Sequence, residues 1–117
     1  MKENNLIVEL SFQFALKIIK LYKMLIEHRE FVLSKQLLKS GCSIGANVQE
    51  AIAGFTKKEF TFKMGIASKE ARETSYWLEL LDKSRLVDID FSEWLNDAQI
   101  LIRVLTKIVK TAQTNPT

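Results

Sequence analysis

Apolar residues recur along this chain every three or four positions, in four blocks, and no block alternates with the period of two that a half-buried strand needs. The first block puts Ile7, Leu10, Phe14, Ile18, Leu21 and Leu25 on one stripe, with Val8, Phe12, Ala15, Ile19 and Ile26 beside it. That pattern predicts a helix over about 5–27. The second predicts a helix over about 32–53, with Leu33, Leu37, Ile44, Val48, Ala51 and Phe55 on its core face. Ser34 is the expected cap near its start and Gly54 its stop. The third, about 57–83, opens on Thr56 with Glu59 three residues on, the pair that makes a capping box. It carries Phe60, Met64, Ala67, Ala71, Thr74, Leu78 and Leu81 in the alternating steps of a helix packed among others. The fourth, about 92–112, takes Ser92 as its cap and turns Trp94, Leu95, Ala98, Leu101, Ile102, Leu105, Ile108 and Val109 inward. Thr111–Thr117 reads as a polar tail that frays. The only proline is Pro116 and the links are short. The expected architecture is therefore all-α: a single domain, 1–117, built as an antiparallel up-down-up-down four-helix bundle.

Three features exceed what such a bundle needs. Gly41 and Gly45 lie four apart inside the second helix, so they share a face and let another backbone come close; each costs roughly 1 kcal/mol relative to alanine. A polar seam of Gln36, Ser40, Ser43, Asn47, Glu50 and Gly54 runs along the same helix, and Glu70 and Glu73 interrupt the band Phe62, Ile66, Trp77 and Leu80 on the third. A carboxylate among apolar neighbours must be paired, hydrogen-bonded or protonated. The expectation is a buried polar network of Ser43, Asn47, Glu50, Glu70 and Glu73 that fixes helix register or subunit contacts. Finally, the second apolar stripes, with Ile100 and Val104 on the fourth helix, leave more apolar surface than one molecule can cover, which argues for self-association.

Charge adds a direction. The net charge is a modest +3, but residues 100–117 hold Arg103, Lys107 and Lys110 with no acid, while 84–99 are acidic. Arg103, Lys107 and Lys110 form one exposed row, Lys35 and Lys39 a second basic pair, and Lys17, Lys20 and Lys23 a third group on the first helix. Multiplied around a symmetric assembly, such rows suit a phosphate backbone, and the scarcity of aromatics on them argues against base stacking.

Chemistry is hard to place. Cys42 has no partner for an internal disulfide, and the lone His28 falls in a turn away from every polar cluster. The di-metal reading that bundles invite needs Glu-x-x-His pairs, and none exists to join Glu50, Glu70 and Glu73. No enzyme activity, metal or cofactor is expected. Neither a signal peptide nor a membrane span is legible, so a cytoplasmic location is the default expectation.

Ser43-Ile44-Gly45-Ala46-Asn47-Val48-Gln49-Glu50-Ala51, then Lys57-Lys58-Glu59-Phe60, then Ile66-Ala67-Ser68-Lys69-Glu70-Ala71-Arg72-Glu73-Thr74 and Tyr76-Trp77-Leu78 closely resemble the 23S rRNA intervening-sequence proteins. The likeness is strong over about Phe31–Leu81 and one of pattern alone in the first and fourth helices. It implies a small antiparallel bundle that assembles as a ring of five, some members being encoded within insertions in ribosomal RNA genes. A relative, the accessory protein of diversity-generating retroelements, forms a similar five-membered barrel whose basic surface binds nucleic acid and reverse transcriptase. Five copies would multiply the +3 charge fivefold, enough to matter for RNA. The competing expectation is a ring-shaped protein–protein adaptor that binds no nucleic acid.

Overall fold

The computed structural model describes residues 2–114, Glu3 by its backbone alone. Four helices follow one another: α1 Lys2–Glu27, α2 Leu33–Ala53, α3 Lys57–Ser84 and α4 Ser92–Thr114. Each packs on its neighbour in sequence and α1 meets α4, while the diagonal pairs stay apart. The result is a closed up-down-up-down bundle 49 Å long and 20 Å across. The tail expected to fray continues α4 as far as Thr114; the remainder of that tail, with Pro116, lies outside the described residues.

The inward stripes meet as their periodicity requires. Ile7, Phe14, Ile18, Leu21 and Leu25 of α1 close on Leu37, Ile44, Val48 and Ala51 of α2, on Met64, Ala67, Ala71, Leu78 and Leu81 of α3, and on Ala98, Leu101, Leu105 and Ile108 of α4. Phe91, in the last link, is fully buried and anchors the chain as it enters α4. Phe55 is the exception to the expected core. It stands 97 % exposed, because Gly54 leaves α2 with φ −64° and ψ 148° and carries the next residue out of helical phase.

The tightest inter-helix approach among the glycines is at Gly41. A Cβ there would sit 2.8 and 2.9 Å from Cγ1 and Cγ2 of Ile18, so only hydrogen fits. One turn on, a Cβ on Gly45 would touch Ser11 at ordinary contact distances, 3.4 Å from Oγ. On its opposite flank α2 meets α3 through polar atoms: the hydroxyls of Ser40 and Thr74 are 2.8 Å apart and fully buried, and Thr74 Oγ1 lies 2.7 Å from the Glu70 carbonyl. Buried hydroxyls remain cheap only when paired in this way.

Helix ends show where local signals hold and where they mislead. Thr56 accepts from the Glu59 amide at 3.0 Å and its hydroxyl donates to Glu59 Oε1 at 3.1 Å, a side-chain variant of the capping box. Ser34 does not cap α2. It lies one residue inside the helix, buried, with its hydroxyl unpartnered, and the Val32 amide, the Leu33 amide and the Ser34 amide donate to the Glu30 carboxylate at 3.2, 3.2 and 2.6 Å. A carboxylate at the positive end of a helix dipole satisfies three orphan N–H groups at once. Ser92 likewise is not the acceptor at α4: its amide and hydroxyl donate to Asp90 Oδ1 at 3.0 and 2.6 Å, which holds the Asp90 carboxyl below the ordinary carboxylate range. α1 ends in a Schellman pair, the Glu30 amide on the Leu25 carbonyl and the Arg29 amide on the Ile26 carbonyl, each at 2.9 Å. Arg29 takes the left-handed position there at φ 63°, without a glycine.

Between α1 and α4, Lys17 bridges Glu93 at 2.5 Å and Asp97 at 2.7 Å, and the Trp94 indole donates to the Lys17 carbonyl at 3.0 Å. The hydrogen bonds that Lys17 donates to Asp97 and then to Glu93 raise the Lys17 pKa, and the one that Glu93 accepts lowers its own.

Two predictions follow from this packing. Gly41→Ala should destabilise the protein by about 1–3 kcal/mol in urea denaturation, because the buried, β-branched Ile18 is stiff and cannot swing aside. Gly65→Ala should instead stabilise it by about 0.5–1 kcal/mol, since a Cβ there meets nothing within 4 Å. A Gly41→Ala variant as stable as the wild type contradicts the close approach. The second concerns pH. Glu93 is depressed from its ordinary 4.5, so its contribution is complete above that pH and is lost as pH falls through the lower folded value. Lys17 is raised from 10.5, so its contribution is complete below that pH and is lost as pH rises through the folded value. Lys17→Met should flatten both limbs of a plot of urea midpoint against pH; unchanged limbs would count against the bridge.

Candidate nucleic-acid interface

Arg103, Lys107 and Lys110 are all exposed on α4, in a row that starts at the middle of the helix and runs toward its C-terminal end. Lys35 and Lys39 are exposed at the start of α2, and α2 lies diagonally across the bundle from α4. The two basic groups therefore do not merge in a single chain. Lys17 drops out of the basic surface because Glu93 and Asp97 neutralise it, and Lys63 is paired with Glu50 at 2.7 Å. No other ion pair forms among the described residues, so Arg103, Lys107, Lys110, Lys35 and Lys39 keep their charge for solvent or a ligand.

A further cation joins the α4 row across the helix interface. Arg72 of α3 donates from Nη2 to the Thr106 hydroxyl at 3.0 Å. Thr106 lies three residues after Arg103 and four before Lys110, on the same side of α4 as both. The sequence offers no local signal for this contact, because its partners are 34 positions apart.

The expected buried network does not form within one chain. Ser43 Oγ turns back to its own Lys39 carbonyl at 2.7 Å, and Asn47 Nδ2 donates to the Ser43 carbonyl at 2.9 Å. Glu50 is exposed and held by Lys63, and Glu73, also exposed, accepts from the Trp77 indole at 3.1 Å. Of these three carboxylates only that of Glu70 is partly buried. Burial raises its carboxyl pKa, Glu73 adds to the rise and Lys39 opposes it. These acids sit on the outer flank of the α2–α3 seam rather than in it, and the buried polar contact belongs instead to Ser40 and Thr74, one helical step inward.

Gly41 and Gly45 face α1, Gly41 closed off by Ile18 and Gly45 at the edge of a surface groove. With Gly45, the residues Phe12, Ala15, Cys42, Ala46 and Gln49 line this shallow groove of about 160 Å³, where burial pushes the Cys42 thiol pKa up and so makes it a poor nucleophile. His28 is exposed in the α1–α2 turn, its Nδ1 2.8 Å from the Met24 carbonyl. Among the described residues no three His, Cys, Asp or Glu side chains gather where a metal ion could bind, and no described helix is long and apolar enough to cross a membrane.

The family model of the 23S rRNA-intervening sequence protein matches residues 3–107. Among solved structures, the fold is similar to that of a Bacteroides thetaiotaomicron protein of unknown function from the S23 ribosomal protein family. The TM-score is 0.88 at 42 % identity, over 92 % of this chain and 98 % of that one. No curated protein shows significant similarity. With its four helices in place and the match running from the start of α1 into the last turns of α4, the chain belongs to the 23S rRNA-intervening sequence protein family.

Proposed function

We propose that the protein is a non-enzymatic helical bundle that assembles with copies of itself into a ring, five by family resemblance, and holds RNA through its basic faces in a cytoplasmic setting. One observation carries the RNA reading: Arg103, Lys107 and Lys110 stand on one half-helix with no carboxylate paired to them among the described residues. The three cations fall within one stretch of α4, 100–114, that holds no acid of its own. Each phosphate they neutralise would release counterions, which gives affinity without requiring a pocket.

Self-association is supported by apolar side chains left in water. Leu6, Phe12, Leu16 and Ile19 of α1 are 43–56 % exposed, and Phe62 of α3 is 64 % exposed. Such a surface favours covering by another copy, and repetition would set several basic rows side by side. The adaptor reading draws on a different residue: Phe55, alone at the α2–α3 turn, offers a protein partner an aromatic anchor.

Filter retention of a structured RNA across a salt series tests the leading reading. Binding should weaken steeply with salt, and Arg103→Ala, Lys107→Ala and Lys110→Ala together should lower the log–log salt slope by roughly two to three. Binding that ignores salt, or none at low salt, overturns it. Sedimentation at micromolar concentration should give a multiple of the 13.5 kDa chain, and a single-chain mass removes the ring.

A further inference from the structure

We infer that copies in a ring whose axis runs along the bundles meet head to tail, with Phe62 and Ile66 of α3 seated in the groove between α1 and α2 of the next copy and α4 left outside the contact. This rests on the self-association proposed above and adds to it the two faces that meet.

The two faces differ in shape. On one side Asn5, Val8, Glu9, Phe12, Gln49 and Ile52 line an open groove of about 450 Å³ between α1 and α2, in which Phe12 and Ile52 stand exposed. On the other, Phe62, Ile66, Lys69, Glu73, Tyr76 and Leu80 follow one another along α3 in steps of four and three and so share a line. Phe62, Tyr76 and Leu80 of that line are exposed, which makes it a ridge of apolar side chains without a partner in its own chain. Among the described residues α4 exposes no large apolar side chain, its Ile100, Ile102, Val104 and Val109 being half-buried.

Copies related by rotation alone touch at equal heights, and the two faces meet that condition. Ile18 of α1 and Thr74 of α3 contact adjacent residues of α2, Gly41 and Ser40, so the two stand at one level on helices that run the same way. At about 1.5 Å per residue, Phe62 lies about 18 Å and Ile66 about 12 Å below that level. The α1 wall of the groove runs from about 20 Å below it at Asn5 to about 9 Å below it at Phe12, so both side chains fall within its span.

Charges along the two faces alternate in opposite sense. On α1 an acid, Glu9, lies below Lys20 and Lys23, and Glu27 lies above them. On α3 a cation, Lys69, lies below Glu70 and Glu73, and Lys83 lies above them. Glu73 stands about 2 Å below the reference level and Lys20 about 3 Å above it, while Glu27 and Lys83 are both about 14 Å above. Side by side at equal height, the faces therefore bring unlike charges together from bottom to top. A second copy of this chain carries both the apolar ridge and the charge order that the groove calls for.

The placement of the faces decides what stays free. Both flank α2: the groove has α2 as one wall, and the α3 line lies on the side of α3 where Lys39 of α2 acts on Glu70. The shorter way round the bundle between them crosses α2, so closing a ring turns α2 toward the axis and α4 outward. Arg103, Lys107 and Lys110 then stand on the outer wall.

Sedimentation of the full chain at micromolar concentration, with circular dichroism to confirm the helices, tests the pairing. Phe62→Lys and Phe12→Lys each spoil one face; both side chains are exposed, so the fold should survive and each variant alone should run as a single chain. Mixed, they retain one intact groove and one intact ridge between them, and should form pairs of chains and nothing larger. Leu6→Lys makes the same change on the line of Leu10 and Lys17 that faces α4, and should keep the wild-type mass. Glu73→Lys should weaken assembly about tenfold, and Lys20→Glu in the same chain should recover most of that loss. Should Phe62→Lys or Phe12→Lys keep the wild-type mass, or the mixture grow beyond pairs, the head-to-tail pairing is overturned although copies still associate. A wild type that stops at two chains, as a two-fold contact would give, also overturns it. A single-chain wild type overturns the pairing and the ring together.

Discussion

The distance between α1 and α2 is set by one contact, the absence of a side chain at Gly41 against the branched side chain of Ile18. Ile18 is fully buried and stiff about its first torsion, so it acts as a fixed knob, and α2 can settle onto it only where its own backbone is bare. Everything farther round the bundle inherits that placement. With α2 drawn in on one flank, Ser40 is presented on the other, where its hydroxyl finds Thr74 and fixes the axial register of α3. The phase of α3 then decides which of its side chains reach α4. Ser75 lies within hydrogen-bond reach of Gln99, and Arg72 of Thr106.

Polar groups do the positioning in this bundle and apolar groups supply the cohesion. The wholly buried layer is Ile, Leu, Ala, Phe, Met and Val, interrupted by a hydroxyl pair between α2 and α3, and the Glu30 carboxylate caps the start of α2. Such contacts contribute about 1 kcal/mol each when satisfied, and more is lost when one partner is removed. Their greater effect is to make one rotation of each helix better than its neighbours, which aligned apolar stripes alone do weakly. The same rotation separates the charges: Lys17 is consumed at the α1–α4 seam, while Arg72 and the α4 row are left with their charge intact.

Much of this was legible beforehand, and the misreadings share a cause. The α3 seam from Met64 to Leu81 and the Thr56–Glu59 cap depend on residues within a few positions of one another, where periodicity and capping chemistry are sharp. The start of α2 was not, because Ser34 is a better cap by type than Glu30; a glutamate reaching forward to three amides has no short motif. Phe55 matched the stripe spacing but falls after Gly54 has ended the helix. Glu70 and Glu73 share a line with Phe62 and Trp77, yet that line proved to be the outer flank of α3, where the carboxylates stay wetted at the margin of the seam. Of the candidate interface, Arg103, Lys107 and Lys110 could be placed on one exposed row from spacing alone. Arg72 could not, since its role depends on Thr106 of another helix.

The contacts across the seams and the separation of paired from unpaired charge both depend on helices being held at fixed rotation. The constraint that fixes them can be measured by itself. In a double-mutant cycle on Gly41→Ala and Ile18→Ala followed by urea denaturation, the account predicts that shortening Ile18 makes room for the new methyl. The pair should then cost at least about 1 kcal/mol less than the sum of the single variants. Strict additivity would show that Gly41 and Ile18 do not limit the approach of α1 and α2, and would contradict the account.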